Sequence, residues 1–551
     1  MSRSRDRRLP VYAPALHHAP IYTPHPAARP VLRYNHDVDV VRFQGRYLAG
    51  WNANEQQAED VPGQFNFLSV SDDFQSWSPP VRLFTADADC ENPVESDNQW
   101  QPSFINLDDR ALLCNWCDYN ARRTFISSSA DGLHWRNQDV PPAPPALTGQ
   151  VVGFPTNHGL RSRQGTLLFA CSLPATEDKC IVGHTRYAGV LLSFDSGQTW
   201  AWSAHIEAIS WSEIGEDPAL HGGETVYLWE PALYEEPSGR IGLLVRNSTS
   251  QDAPERHDEP HHMILHAYSD DQGRTWSKAR PIEVDSIISR NYAVAGAGTP
   301  DGLLMVMNDW WVNIPQRISH DRYHLALYCA PVCDPDLLLP GPVVQPPGGT
   351  AFYPNGFVED GRLYLGYTYP PCAWSTIVEE LPDFTRPFLL PRGGRSGLRL
   401  EGDLAVLGQR QSSLGLVLTA EQTRQAELRL AFDANVQGYN GAALPLLTLG
   451  GKTRQGAVLR VVYDAEAGAD VLQVGGVEVG RCTLRRWQRL GVGLTREGFT
   501  VQVDQQEPRR FDGALLRKVC FGGLYEKPEW PMGMLRSQDV RLRTDTIEVG
   551  G

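Results

Sequence analysis

The stretch SFDSGQTW at residues 193–200 is repeated as SDDQGRTW at residues 269–276, and more loosely as SDDFQSW (71–77) and SSADGLHW (128–135). Each copy begins with Ser, contains Asp and ends in Trp, and three of the four contain Gly. These residues suit a tight turn between two strands. The carboxylate accepts backbone N–H bonds, glycine takes a positive φ, and tryptophan packs between sheets. The stretch therefore predicts a structural turn that recurs along the chain.

The spacing of these turns indicates which repeat fold they belong to. Their terminal tryptophans are separated by 58, 65 and 76 residues, and strand-like apolar runs lie between them. A unit of roughly 60 residues that holds several short strands is typical of a propeller blade rather than of a solenoid.

A second repeat, of short polar or aromatic segments that precede an apolar strand, gives the number of blades. The segments are YNHDVDVV (34–41), WQPSFINL (100–107), TNHGLRSR (156–163), WEPALYEE (229–236), SRNYAVAG (289–296) and FYPNGFVE (352–359). Six segments predict six blades, each beginning with an innermost strand that lines the central channel.

Residues at equivalent strand starts should converge at one mouth of the channel. With one residue per segment in register, the predicted ring consists of His36, Gln101, His158, Glu230, Asn291 with its neighbour Arg290, and Tyr353. In the first segment, we expect only one of Asp37 and Asp39 to face the channel.

The C-terminal part of the chain has a different pattern. A Pro-, Gly- and Arg-rich stretch at 381–400 reads as a linker, and apolar and polar residues then alternate between turn signals to the end of the chain. This pattern predicts an antiparallel β-sandwich. We therefore expect an all-β protein with a propeller domain over residues 1–385 and a sandwich domain over residues 386–551.

Composition excludes several partners and cofactors. The net charge of the 551 residues is −15, which disfavours nucleic acid and anionic membranes. The sequence has no apolar run near the roughly 20 residues that span a bilayer, and no secretory signal is visible at its start. The ten cysteines are irregularly spread, which favours reduced thiols. We expect a cytoplasmic protein without a metal or cofactor, and leave its oligomeric state open.

The repeated turns resemble the Asp-boxes, or BNR repeats, of the sialidase (neuraminidase) superfamily. In that superfamily the box is a structural turn on the face away from the active site. The resemblance implies a six-bladed sialidase-type propeller, and the C-terminal domain resembles the lectin-like sandwiches attached to several propeller glycosidases.

Three segments resemble the catalytic segments of sialidases. Residues 229–276 resemble the segment with the catalytic Glu and the second arginine of the carboxylate-binding triad, which implies these roles for Glu230 and Arg246. Residues 347–369 resemble the segment with the nucleophilic tyrosine, which implies this role for Tyr353.

The third arginine and the acid/base residue follow from the same resemblance. Arg322 lies where the third arginine is expected, and Arg317 competes for that role. Residues 59–77 resemble the loop that carries the acid/base aspartate, which implies Asp60. The first arginine is missing, because His36 stands in its slot, and Arg33 could substitute by reaching into the site.

The chemistry explains why these residue types occur together. Arginines anchor a sugar carboxylate by charge-assisted, bidentate bonds. A phenol such as Tyr353, deprotonated by Glu230, attacks beside that carboxylate without opposing charge. Asp60 with a raised pKa could protonate the leaving oxygen. The implied activity is an exo-acting glycoside hydrolase whose partner is an oligosaccharide or polysaccharide with a carboxylated sugar.

Two alternatives remain open. A lyase, or a rhamnosidase-like glycosidase, at a uronic-acid linkage would use His158 or His36 as base and Tyr353 as acid. Arg246, Arg290 and Arg322 would then hold the uronate. The second alternative is a propeller that binds glycans without catalysis.

Overall fold

The fold is described from a computed structural model of the chain. The residues that it describes are 8–59, 61–88, 90–120, 123–141, 153–174, 186–215, 217–221, 223–248, 263–285, 289–295, 302–309, 322, 324–331, 334–392, 398–409, 413–439, 443–450, 456–513, 515, 517–522 and 537–550.

Within these residues, six sheets form the blades of a propeller, which confirms the predicted fold, and all strand pairs in them are antiparallel except Cys90–Glu91 with Trp135–Asp139. From the innermost strand outward, blade 1 is Tyr34–Phe43, Arg46–Asn54, Phe65–Ser71 and Val81–Arg82; blade 2 is Gln99–Asn106, Leu112–Asp118, Arg123–Ser129, Trp135–Asp139 and Cys90–Glu91; blade 3 is Phe154–Pro155 with Leu160–Arg161, Leu167–Pro174, Arg186–Ser193 and Ala201–Trp202; blade 4 is Tyr227–Glu235, Ile241–Ser248, Met263–Ser269 and Arg280–Asp285; blade 5 is Tyr292–Ala295, Gly302–Asn308, Leu325–Pro331 and Leu339–Val343; blade 6 is Phe352–Glu359, Arg362–Tyr369, Cys372–Val378 and Leu16–Tyr22.

Blade 6 closes the ring with a strand from the other end of the domain. Leu16–Tyr22 pairs antiparallel with Cys372–Val378, so the outermost strand comes from the N-terminal side of blade 1. Pairing of segments some 350 residues apart fixes the first and last blades to each other.

The four Asp-boxes lie between the third and fourth strands of blades 1 to 4, as turns. The Asp271 carboxylate accepts a hydrogen bond from the Thr275 backbone N–H at 2.9 Å, and Asp195 accepts one from Thr199 at the same distance. Gly273 has a φ of +87°, and in the first box, which lacks glycine, Phe74 takes a φ of +61°. The predicted turn chemistry is confirmed.

Replacing Gly273 with alanine should destabilise the propeller more than the same change at Gly165. Both have φ near +88°, which costs an alanine about 1–2 kcal/mol. At Gly273 a Cβ would also lie 2.8 Å from Leu168 Cδ2, whereas at Gly165 it would meet open space. This crowding adds about 1–3 kcal/mol. Urea unfolding of the two variants checks the difference, and equal losses would contradict it.

The C-terminal domain is a β-sandwich of two antiparallel sheets. In hydrogen-bonded order, one sheet contains Phe388–Arg392, Ser413–Val417, Val519–Phe521, Ala443–Leu449, Ala457–Asp464, Ala469–Val474 and Val477–Arg481; the other contains Leu398–Glu401, Leu404–Gln409, Ser537–Gly550, Leu428–Tyr439, Trp487–Leu494, Gly498–Val503 and Arg509–Asp512. The inward side chains of both sheets, among them Leu430, Phe432 and Phe521, form one core.

Helix is scarce in the described residues. The helices are the α-helix Ala420–Arg424 and the 3₁₀ turns Ala86–Ala88, Ser212–Ile214, Pro218–His221 and Pro335–Leu337. In the described part of the chain, no helix has the length and apolar character to cross a membrane.

The sandwich packs directly against the propeller. The last propeller strand ends at Val378 and the first sandwich strand begins at Phe388, so the predicted division at residue 385 falls between them. Arg392 Nε donates to Asp309 of blade 5 at 2.8 Å, and both residues are buried. Lys518 donates to the backbone carbonyl of Glu283 in blade 4. These contacts are those expected of a domain that supports the propeller.

Candidate active site

Four innermost strands share a β-bulge near their first residues. The register shifts at this point in blades 1, 2, 4 and 6, and each bulge contains one residue with φ between +48° and +59°. These residues are Asp37, Gln101, Glu230 and Tyr353. Positive φ is uncommon outside glycine and clusters at functional sites. A bulge re-aims a side chain, and the contacts below show these side chains meeting partners from other blades.

In blade 1 the bulge changes the predicted register. Asp37 is the bulged residue, one position after the predicted His36. The expectation that only one of Asp37 and Asp39 faces the channel is wrong, because both carboxylates contact residues of other blades. Asp37 bonds Arg290 of blade 5, and Asp39 bonds His158 of blade 3.

The centre of the site is the Tyr353 hydroxyl. It accepts hydrogen bonds from Arg246 Nη1 at 3.2 Å and from Arg322 Nη2 at 3.4 Å. Glu230 forms a buried ion pair with the same Arg246 nitrogen. The Arg290 guanidinium lies 4.5 Å from the centre of the Tyr353 ring. These five residues are called the Tyr353 cluster.

The arginines determine the protonation of the cluster. Burial alone would raise the pKa of Glu230, but Arg246, Arg290 and Arg322 together hold it below its usual value. Burial raises the pKa of Tyr353, although Arg322 opposes this shift. At neutral pH the cluster therefore contains a carboxylate beside a protonated phenol, and the Glu230 carboxylate hydrogen-bonds the Tyr353 hydroxyl.

His36 covers one face of Tyr353. Their rings stack with centroids 4.6 Å apart, and His36 Nδ1 lies 2.9 Å from the Thr368 hydroxyl. Burial, then the charges of Arg290 and Arg322, lowers the pKa of His36 well below its usual value. The imidazole is therefore neutral, and it does not supply the positive charge of the missing first arginine.

Asp37 and Arg290 form a buried ion pair beside His36. The Arg290 Nη2 to Asp37 Oδ1 distance is 2.7 Å, and each side chain is 1% exposed. Burial raises the pKa of Asp37 to about 6, although Arg290 opposes the shift. Ligand atoms of His36, Asp37 and Glu59 also lie within 4.8 Å of one another. We assign no metal there, because the Arg290 cation already binds Asp37.

The raised pKa predicts that the effect of Asp37→Asn depends on pH. Because the pKa of Asp37 in the folded protein exceeds its ordinary value, the stability that protonated Asp37 contributes is complete below about pH 4 and is lost as the pH rises through about 6. Asparagine does not titrate. The variant should therefore be least stable relative to the wild type at about pH 4, and the difference should shrink towards about pH 7. Urea unfolding across this range tests it, and a constant difference would contradict it.

His158 lies deeper in the channel than predicted. Its Nδ1 is 2.9 Å from Asp39 Oδ1, and its backbone N–H donates to Asn355 Oδ1 at 3.1 Å. Asp39 and Asn355 each follow a bulge residue by two positions. His158 thus joins blades 1, 3 and 6 below the Tyr353 cluster, where its described contacts are those of a positioning residue.

The remaining predicted residues lie in different places. Gln101 is buried and its side chain hydrogen-bonds Asp37. Asn291 is fully buried, and within the described residues its side-chain amide has no hydrogen-bond partner. Arg33 is exposed and lines a surface groove. Asp60 and Arg317 lie outside the described residues.

Sequence reasoning missed several residues at the mouth. The Tyr34 and Phe352 rings each lie 5.5 Å from the His36 ring, and Glu59 Oε1 lies 3.7 Å from His36 Nε2. Tyr34 precedes the predicted His36 by two residues, and Phe352 precedes the predicted Tyr353 by one. This closeness in sequence is the signal that could have identified them as site residues.

Comparison with known proteins identifies the family. Residues 45–333, about half of the chain, match the model of the BNR repeat-like domain family. The chain belongs to this family. No curated protein matches the sequence.

A sialidase structure has a similar fold. Trypanosoma rangeli sialidase in complex with 2,3-difluorosialic acid, as a covalent intermediate, is 12% identical, with 98% of this chain and 97% of that one aligned and a TM-score of 0.50. A protein of unknown function from Dyadobacter fermentans is 15% identical over 67% of this chain and 100% of its own, with a TM-score of 0.48. The similarity to the sialidase structure and the match to the BNR repeat-like family show that the chain has a sialidase-type propeller.

Proposed function

We propose that this protein is a retaining exo-glycoside hydrolase of sialidase type that removes a terminal acidic sugar. The observation that carries the proposal is the Tyr353 hydroxyl, which is buried, bonded by two arginines and adjacent to the Glu230 carboxylate. A tyrosine in this setting can act as a nucleophile once a base accepts its proton.

In the proposed first step, Glu230 accepts the phenolic proton and the Tyr353 oxygen attacks the anomeric carbon. The two arginines that bond the hydroxyl stabilise the developing phenolate. A carboxylic acid at the mouth gives its proton to the leaving oxygen, so that the glycosidic bond breaks as the bond to Tyr353 forms. Water then hydrolyses the glycosyl–tyrosine intermediate with retention. Asp60 remains the predicted acid, and its neighbour Glu59 lies at the mouth.

The substrate carboxylate would bind to Arg246 and Arg322. Arg246 is paired with Glu230, and Arg290 is paired with Asp37. In the first-blade slot, where an arginine was expected, the site therefore offers the Asp37 carboxylate, which can accept a hydrogen bond from a sugar hydroxyl. Three arginines would bind the carboxylate of a sialic acid. A site with Asp37 in place of one of them supports an acidic sugar whose carboxylate and hydroxyl groups are placed differently.

Digestion of a glycan panel, with the products identified by mass, tests the proposal. The panel contains sialosides, related nonulosonic acids and uronate-containing oligosaccharides. Release of an intact sugar acid by the wild type, lost in Tyr353→Phe, would support it. Binding of these glycans without turnover would instead indicate a glycan-binding propeller.

A specific observation keeps a uronic-acid lyase as the second candidate. His36 is neutral and stacks on Tyr353, which is an arrangement that a base and an acid for C5 proton removal could use. A lyase would release an unsaturated product that absorbs in the ultraviolet, and its activity would be lost in His36→Asn.

A further inference from the structure

A second concave site lies on the surface beside the mouth. It encloses about 620 Å³, and its walls include Pro24, Pro26, Arg29, Arg33, Glu55 and Pro371. We call it the Arg33 groove.

Two chain segments of blade 1 connect the groove to the Tyr353 cluster. Arg33 lines the groove, and the next residue, Tyr34, has its ring 5.5 Å from the His36 ring. Glu55 lines the groove as well, and Glu59, four residues further along the same loop, has its carboxylate 3.7 Å from His36 Nε2. Each segment thus passes, within four residues, from the groove to a contact with His36, which stacks on Tyr353 of the cluster.

A third connecting wall comes from blade 6. Pro371 lines the groove, whereas Thr368 in the same hairpin bonds His36 Nδ1. Asn35 Nδ2 donates to the Pro371 carbonyl at 2.8 Å, which fixes this wall to the first one. A ligand that extends out of the cluster between these walls would enter the groove.

The chemistry of the groove suits an anionic sugar. Arg29 Nη1 donates to the Pro26 and Ala28 carbonyls, which orients this side chain. The Arg33 side chain is exposed and makes no hydrogen bond among the described contacts. With Glu55 as the opposing charge, the lining residues carry one net positive charge. Guanidinium groups bind carboxylates and sulfates, and the proline rings provide apolar walls for pyranose C–H groups.

The loop that lines the groove indicates which end of the substrate enters it. The general acid must lie beside the leaving-group oxygen. Glu59, whose carboxylate lies at the mouth, follows Glu55 and Gln57 of the groove, and the predicted acid Asp60 is the next residue in the sequence, which favours a leaving group on the side of the groove.

We propose that the Arg33 groove binds the sugar unit that leaves, and that this unit is itself acidic. The proposal rests on the proposed glycosidase function and adds a substrate class to it, namely glycans with two adjacent acidic sugars. Arg33 then selects the leaving unit instead of replacing the missing first arginine.

Kinetics on paired substrates test the proposal. Disialic acid has an acidic leaving unit and sialyllactose a neutral one. Arg33→Ala should lower the ratio of kcat/KM for disialic acid to that for sialyllactose about tenfold, as expected for the loss of one charged hydrogen bond. Arg110→Ala, which removes an exposed arginine from a blade 2 turn, should leave the ratio unchanged. An unchanged ratio in Arg33→Ala would overturn the proposal.

Calorimetry separates failure of this proposal from failure of the glycosidase function. If the wild type hydrolyses neither substrate, binding of trigalacturonate is measured with Tyr353→Phe and with Tyr353→Phe/Arg33→Ala. About tenfold weaker binding in the second protein would keep the groove as a site for acidic sugars although the glycosidase proposal fails. Equal affinities, or no binding to either protein, would overturn the groove proposal as well.

Discussion

Tyr353→Phe is expected to lower kcat by at least about 10³-fold, because the attacking oxygen is lost while the arginines and Glu230 remain. The substitution removes one oxygen from a buried ring and creates no large cavity, so the fold should persist. Stopped assays of sugar-acid release, together with thermal unfolding of the same protein, measure both expectations.

The matched control is Tyr367→Phe in the neighbouring strand of blade 6. Tyr367 is also buried, but its hydroxyl bonds Thr376 Oγ1 at 2.8 Å, within the blade. Loss of the Tyr367 hydroxyl should leave kcat within about twofold of the wild type. Comparable losses in the two variants would mean that Tyr353 acts by supporting blade 6 and not by chemistry.

Arg246→Met is expected to lower the free energy of unfolding by about 3–5 kcal/mol and to abolish activity. The change leaves the buried Glu230 carboxylate without its ion-pair partner, and an uncompensated buried charge is costly. The pKa of Glu230 should rise, because the charge of Arg246 is the strongest influence that opposes burial. Urea unfolding measures the loss of stability.

Two further variants separate charge from packing. Arg246→Met/Glu230→Gln removes both charges and should recover most of the lost stability without recovering activity. Arg240→Met in the same blade breaks an exposed ion pair with Asp270 and should cost about 0–1 kcal/mol. A double variant as unstable as Arg246→Met would show that the loss comes from packing around residue 246.

Much of the fold could be predicted from the sequence, because its main signals are local. The Ser, Asp, Gly and Trp of each box act within eight residues, so their turns can be read from one stretch. Pairing of Leu16–Tyr22 with Cys372–Val378 could not be read in this way, since the two strands join only after the six blades close.

The site was predicted less completely, because β-bulges leave little trace in a sequence. A bulge adds one residue to one strand, and this shifted the expected blade 1 position from His36 to Asp37. The innermost strand of blade 3 is broken into Phe154–Pro155 and Leu160–Arg161, which places His158 below the predicted ring. Glu230, Arg246 and Tyr353, predicted from separate segments, do come together.

The central claim, that Tyr353 is the nucleophile, is tested most directly by trapping the intermediate. The wild type is incubated with a fluorinated analogue of the sugar acid identified by the panel, which slows hydrolysis of the glycosyl–enzyme, and is then digested for peptide mass spectrometry. The account predicts a glycosyl adduct on Tyr353 that is absent from Tyr353→Phe. An adduct on another residue, or unsaturated product without any adduct, would contradict it.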